Sequence, residues 1–144
     1  MSDQYGLYIN MISRNLKNKV DEKLKEIDLT KSQSDILHYL SLHEHEYVVQ
    51  KDLEKAFQIS NPTVTGLLNR LEQKGYIKRI SNPNDKRAKQ IILQDKARDV
   101  LSMVENQIEE NENILLKGFT KQEADDFLKY INKALNNLTK EEIE

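Results

Sequence analysis

The side chains best suited to bond an outside partner lie between Ser60 and Lys89. The first group falls in Asn61–Glu72. Val64, Leu67, Leu68 and Leu71 stand at i, i+3, i+4 and i+7, the spacing of one buried helical face. The opposite face holds Pro62, Gly66, Asn69 and Gln73, flanked by Thr63, Thr65 and Arg70. Hydroxyl, amide and guanidinium groups can bond base edges and phosphates. Small residues let a helix come close to a groove floor. Gly66 inside a helix costs ~1 kcal/mol against Ala, which asks for a reason such as close approach. Asn61 is expected as the N-cap with Pro62 at the first helical position, and Gly75 as the left-handed stop.

The second group is Asp85, Lys86, Arg87 and Lys89. It lies between two weakly alternating apolar runs, Tyr76–Ile80 and Lys89–Leu93, which read as antiparallel strands. The connection Ser81–Ala88 is rich in turn formers and positive charge. It is longer than a tight hairpin needs, so its tip is expected to serve a purpose.

Charge distribution supports a polyanionic partner. The whole chain of 144 residues carries a net charge of −2. Residues 47–98 nevertheless hold eleven Lys/Arg against five Asp/Glu, while the segments before and after are acidic. A basic middle between acidic ends is the pattern of a nucleic-acid lobe set in a larger scaffold. No nucleophile–base pair, phosphate-cradling Gly loop or metal triad appears, so an enzyme is not expected. The absence of cysteine excludes disulfides, thiolate metal sites and a thiol redox switch. No apolar run approaches the roughly 20 residues of a membrane-spanning helix, and the N-terminus lacks the features of a secretion signal. A cytoplasmic location is expected, with no membrane partner and no cofactor.

The remaining elements must position this central stretch. Residues 5–27 read as a helix with the stripe Ile12, Leu16, Val20, Leu24 and Ile27. Its start, Tyr5, Leu7, Tyr8, Ile9 and Met11, is apolar nearly all round and needs cover from a second subunit. Thr30 and Gln33 form a capping box that opens a second helix, whose buried face is Ile36, Leu37 and Leu40. Tyr47-Val48-Val49 is expected as a one-bridge strand. A short helix follows with Leu53, Ala56 and Phe57 inward and a poor N-cap at Val49 or Gln50. A long helix runs from Asp95 to about Leu116, with Val100, Leu101, Val104, Ile108 and Leu115 as its stripe. Phe119-Thr120-Lys121-Gln122-Glu123 is a capping box with a staple. The last helix carries Ala124, Phe127, Leu128, Ile131, Leu135 and Leu138 at near-heptad spacing, a good dimerisation surface.

This order of elements resembles the MarR family (multiple antibiotic resistance regulators) over nearly the whole chain. The likeness is sharpest in Thr63-Val64-Thr65-Gly66-Leu67-Leu68-Asn69-Arg70-Leu71-Glu72 with Gly75-Tyr76-Ile77, and in Asp85-Lys86-Arg87-Ala88-Lys89. Two departures are Val49-Gln50, where the family usually has a Ser or Thr cap, and Leu93-Gln94-Asp95-Lys96-Ala97, where it often has Thr and Gly.

The resemblance implies a mainly α fold with a small β-wing in a single domain, 1–144. Residues 30–96 would form a winged helix-turn-helix DNA-binding lobe, and 1–29 with 97–144 the dimerisation helices. It implies a homodimer, a repressor, on a pseudo-palindromic operator in double-stranded DNA. The helix 61–74 would enter the major groove through Asn61, Thr63, Thr65, Gly66, Asn69 and Arg70. The wing would reach a minor groove through Asp85, Lys86, Arg87 and Lys89, with Asp85 orienting Arg87 by a salt bridge. Many relatives answer to a small aromatic or cationic ligand. Its lining here would be Met11, Ile12, His38, Tyr39 and Met103. Two alternatives stay open: a winged-helix module for an acidic protein partner, and a zinc-responsive regulator using His38, His43 and His45 with Glu44 and Glu46.

Overall fold

The computed structural model describes residues 4–143, and the side chains of Lys86, Arg87 and residues 140–143 are outside the described set. Among the described residues eight elements follow one another: α1 (Tyr5–Glu26), α2 (Lys31–Leu42), α3 (Gln50–Phe57), α4 (Asn61–Gln73), β1 (Ile77–Asn82), β2 (Asp85–Leu93), α5 (Asp95–Leu115) and α6 (Lys121–Ile143). The chain divides into two compact units, Met1–Ile108 and Glu109–Glu144, with the division inside α5. No helix among the described residues is long and apolar enough to cross a membrane.

The core of the first unit is built from the expected stripes. Leu24 of α1, Ile36, Leu37 and Leu40 of α2, Leu53 of α3, and Val64, Leu68 and Leu71 of α4 are all buried. Ile77, Ile91 and Leu93 from the hairpin and Ala97 and Val100 from α5 close it. Burying such side chains contributes about 1.5–3 kcal/mol each. Ala56 was expected inward but is exposed, and only Leu53 and Phe57 anchor α3 in the core.

Helix ends are set by local chemistry. Thr30 Oγ1 accepts from the Gln33 N–H at 3.2 Å and Gln33 Oε1 accepts from the Thr30 N–H at 3.0 Å, completing the capping box of α2. Val49 cannot cap with its own side chain, yet its N–H donates to Asp52 Oδ2 at 2.9 Å, so half the box survives. The N-cap of α4 is Ser60 and not Asn61; its Oγ accepts from the Thr63 N–H at 3.4 Å. The shift of one residue moves Pro62 deeper into the first turn, where an N–H has no helical partner in any case. Gly75 takes φ 82° and ends α4 with two bonds, Tyr76 N–H to Leu71 O at 2.9 Å and Gly75 N–H to Glu72 O at 3.0 Å. This Schellman pattern satisfies the last carbonyls.

The sheet has two antiparallel strands, with Ile77 opposite Leu93 and Arg79 opposite Ile91. Residues 47–49 do not form the expected third strand among the described residues. The Val48 carbonyl instead accepts a single bond from the Ile91 N–H at 2.9 Å. The strands are longer than the sequence suggested. Asp85–Lys89 belong to β2, and the turn is confined to Pro83-Asn84. A register shift between Ser81 and Asn82 absorbs the extra length.

In α5, Ile108 was expected in the buried stripe and is exposed, whereas Gln107 and Asn111 are buried. In the second unit, Thr120 and Glu123 form the capping box of α6, with bonds of 2.9 and 3.1 Å. Phe119 packs against Phe127, ring centroids 5.6 Å apart. Leu128, Tyr130, Ile131, Leu135 and Leu138 are exposed.

Candidate nucleic-acid interface

Helix α4 has two working sides. Its inner side is fixed in the core by Val64, Leu68 and Leu71. On its outer side Asn61, Thr63, Gly66, Asn69 and Arg70 are exposed and Thr65 is half-buried. A methyl group placed on Gly66 would meet nothing within 4 Å, so the fold itself has no need of a glycine there.

Three polar ties hold this outer side in place, and none was anticipated from the sequence. Gln50 Nε2, at the start of α3, donates to Thr65 Oγ1 at 2.8 Å and to the Asn61 carbonyl at 3.3 Å. Asn61 Nδ2 donates to Glu54 Oε2 at 3.0 Å. Arg79 on β1 reaches back to α4, where its Nη2 meets Asn69 Oδ1 at 2.7 Å and Glu72 Oε1 at 2.8 Å. The Arg79 N–H adds a bond to Glu72 Oε2 at 3.0 Å. The first two ties fix the angle between α3 and α4, and the third fixes α4 against the hairpin. The sequence offers little sign of them, because the partners stand 7 to 15 residues apart across turns.

Arg79 also sets the protonation of its partner. Hydrogen bonds from its guanidinium hold the Glu72 carboxyl below its ordinary value of 4.5, against the opposing effect of burial. A carboxyl with a lowered folded-state pKa stabilises the fold fully above its unfolded pKa. That contribution disappears as pH falls through the folded value. Glu72→Gln is therefore expected to be less stable than the parent near neutral pH, and the gap should narrow as pH falls below the carboxyl's ordinary value of 4.5. Thermal melts of both proteins across that range check this, and a gap independent of pH would refute the assignment.

Between α3, α4 and the hairpin lies an open cleft of ≈ 660 Å³. It brings together Asn61 and Thr65 of α4, Asp85 and Lys89 of β2, and Lys51 of α3. Thr63, Gly66, Asn69 and Arg70 lie outside this lining, on the exposed side of the same helix. Thr63 Oγ1 lies 2.9 Å from Ser60 Oγ. The backbone of Lys86 and Arg87 lies in β2, but their side chains, and so the expected Asp85–Arg87 salt bridge, fall outside the described residues.

The C-terminal end of α4 is tied to the turn after α1. Lys74 Nζ donates to the Asp28 carbonyl and lies 3.4 Å from the Asp28 carboxylate. Lys96 Nζ donates to the Lys74 carbonyl at 2.7 Å and sits 4.7 Å from the centre of the buried Tyr76 ring. Burial, aided by the charge of Asp28, holds the Tyr76 phenol above its ordinary value and keeps it neutral.

The five residues expected around a ligand are dispersed in exposure. Met11, Ile12 and His38 are exposed, and Tyr39 and Met103 are half-buried against the core. Tyr39 stacks on His43 at 4.1 Å. A separate recess of ≈ 250 Å³ lies between the connector after α2, β2 and Arg98. In its lining His43 Nδ1 lies 2.7 Å from Glu46 and Glu44 lies 2.7 Å from Arg98. Among the described residues no three His, Cys, Asp or Glu side chains gather as metal ligands.

Known proteins share this architecture. The MarR family model matches residues 27–88, the segment from the end of α1 to the wing. The HTH-type transcriptional regulator YybA of Bacillus subtilis (strain 168) is 23% identical over 133 residues, covering 92% of this chain and 87% of its own. MepR, a transcription regulator of the Staphylococcus aureus multidrug efflux pump MepA, is 31% identical, with a TM-score of 0.84 over 94% of this chain and 98% of its own. The S. aureus MepR–DNA complex superposes with a TM-score of 0.79 at 32% identity, over 93% of this chain and 99% of that one. The shared helices, hairpin and near-complete coverage of similar chains carry the same conclusion as the motifs of α4: the chain belongs to the MarR family of winged-helix transcriptional regulators.

Proposed function

We propose that the protein binds double-stranded DNA sequence-specifically as a homodimer and represses transcription from a pseudo-palindromic operator. The observation that carries this reading is the outer side of α4. It is polar, exposed and held rigidly by Gln50 and Arg79, and it has at its middle a glycine that the fold does not require. A rigid helix with a flat centre suits a major groove. The cleft between α4 and β2, with Lys51 and Lys89 in its lining, suits a phosphate backbone passing toward the wing. MepR, similar over nearly its whole length, is a protein known in complex with DNA.

In this reading residues 30–96 contact DNA, and 1–29 with 97–144 join two copies. Large apolar side chains left uncovered on α1 (Tyr5, Leu7, Tyr8, Ile9) and on α6 support the second part. Two copies of α4 would then stand about one turn of DNA apart, ~34 Å. A small aromatic or cationic ligand near Met11, Ile12, His38, Tyr39 and Met103 would relieve repression by changing that distance. The tie from Lys74 to the turn after α1 gives the movement a route to α4.

Titration of duplex DNA from upstream of the protein's own gene, at several salt concentrations, tests the reading. Affinity is expected to fall linearly on a log–log plot, with a slope of about −0.9 for each phosphate neutralised. Arg87→Ala is expected to weaken binding and to flatten the slope. Binding that ignores salt, or that is equal for unrelated duplexes, would overturn it.

A further inference from the structure

Arg79 does more than brace the hairpin. Its side chain is only 20% exposed and is held from below by Glu72, through Nε at 3.2 Å and Nη2 at 2.8 Å. From that fixed position Nη2 meets the Asn69 carboxamide at 2.7 Å. A guanidinium has five N–H donors and no acceptor. Whatever faces it must accept, so the amide must present its oxygen to Arg79. Its NH₂ group is thereby turned away from Arg79, on the exposed side of α4. An asparagine on a recognition helix ordinarily reads adenine with both ends of its amide, donating to N7 and accepting from N6–H₂. Here Arg79 takes one of the two lone pairs of that oxygen and holds the oxygen toward itself, so the NH₂ is the end turned outward.

We infer that Arg79 is a specificity-determining positioning residue: by holding the Asn69 oxygen toward itself it presents the NH₂ of Asn69 outward as a donor, which selects guanine and discriminates against adenine at one base pair of each half-site. Guanine offers two adjacent acceptors in the major groove, O6 and N7, whereas adenine pairs one acceptor with a donor. Adenine N6–H₂ would face the outward NH₂ of Asn69, donor against donor. Arg79 itself touches no base; it acts through Asn69. The inference rests on the proposed DNA reading, and it names the chemistry of one of that reading's positions.

A duplex library of randomised sequence, selected by the full-length protein and its variants and then sequenced, provides the test. Wild type is expected to prefer guanine over adenine about tenfold at one symmetric pair of positions, equivalent to 1.4 kcal/mol. Asn69→Ala should erase the preference at that pair alone. Asn69→Asp keeps an oxygen for Arg79 but loses both outward donors, so guanine should be rejected there in favour of bases that donate, cytosine or adenine. Arg79→Met frees the amide to rotate and should bring guanine and adenine within about twofold of each other at the same pair, leaving the other positions as they were. The exposed Asn69 variants keep the test decisive should Arg79→Met fold poorly. Unchanged preferences in Asn69→Ala would overturn the inference, as would a wild-type preference for adenine at the position that variant erases. A shift in Arg79→Met spread over all positions would reduce Arg79 to a structural brace and also overturn it. These results leave DNA binding intact, whereas a wild-type protein that enriches no sequence overturns the DNA reading and this inference together.

Discussion

The double substitution Ile131→Glu and Leu135→Glu is expected to yield a folded monomer whose operator affinity is about a thousandfold lower or worse. Both side chains lie on α6 and both are exposed, at 44% and 54%. Neither side chain belongs to the buried core, so the helices should remain formed. A second copy would have to bury four extra carboxylates against apolar surface, and an unpaired buried charge costs several kcal/mol. The consequence for DNA follows from the proposed two-copy geometry. Specific sites are bound at 10⁻⁸–10⁻¹¹ M by regulators of this kind, roughly 10³–10⁷ tighter than non-specific DNA. Much of that gap comes from joining two half-sites in one molecule, so a monomer is left near the non-specific range. Sedimentation fixes the mass and duplex titration at constant salt fixes the affinity. A dimer of unchanged mass would move the interface away from α6. A monomer with undiminished affinity would refute the two-copy reading.

The sequence carried the parts of the fold that depend on period and on capping type. The i, i+3, i+4, i+7 spacing of Val64, Leu67, Leu68 and Leu71 separated the buried side of α4 from its outer side. Thr30 with Gln33 and Thr120 with Glu123 marked two helix starts, because a capping box is written in four consecutive residues. What stayed hidden depends on partners remote in the chain. Ser60 and Asn61 are both good caps, and only the bonds of the first turn choose between them. The hairpin extends through Asp85–Lys89 although those residues show no alternation, because a thin hairpin has little buried face to impose one. In α5 the burial of Gln107 and Asn111 in place of Ile108 is invisible to an apolar period, since a buried amide depends on the groups around it.

The site follows the same division. Residue type and spacing pointed to Thr63, Thr65, Gly66, Asn69 and Arg70 as the outer side of α4, and the structure leaves four of them exposed and Thr65 half-buried. Spacing gave no sign that Thr65 and Asn69 are each held by a neighbour, Gln50 or Arg79, from another element. That hold matters because a reader whose rotamer is locked loses less entropy on binding.

Gly66→Ala is expected to make the free protein more stable and its DNA complex weaker. Gly66 lies inside α4 with open space where a methyl group would project. Alanine therefore enters without a clash and, being less free than glycine in the unfolded chain, loses less entropy on folding, a gain of about 1 kcal/mol. The melting temperature should rise by roughly 3–5 °C. If the groove floor meets the helix at this point, the same methyl has no room in the complex. Overpacking costs ~1–3 kcal/mol at each contact. A dimer meets the cost twice, which amounts to a loss of affinity of about a hundredfold or more. Opposite signs are the informative feature. A residue retained only for folding would lose stability or leave it unchanged, and a residue of no consequence would gain stability with binding intact. Scanning calorimetry without DNA and duplex titration with it measure the two quantities on one variant. A rise in melting temperature with unaltered affinity would remove Gly66 from the contact surface and with it the reason for placing the centre of α4 on the groove floor.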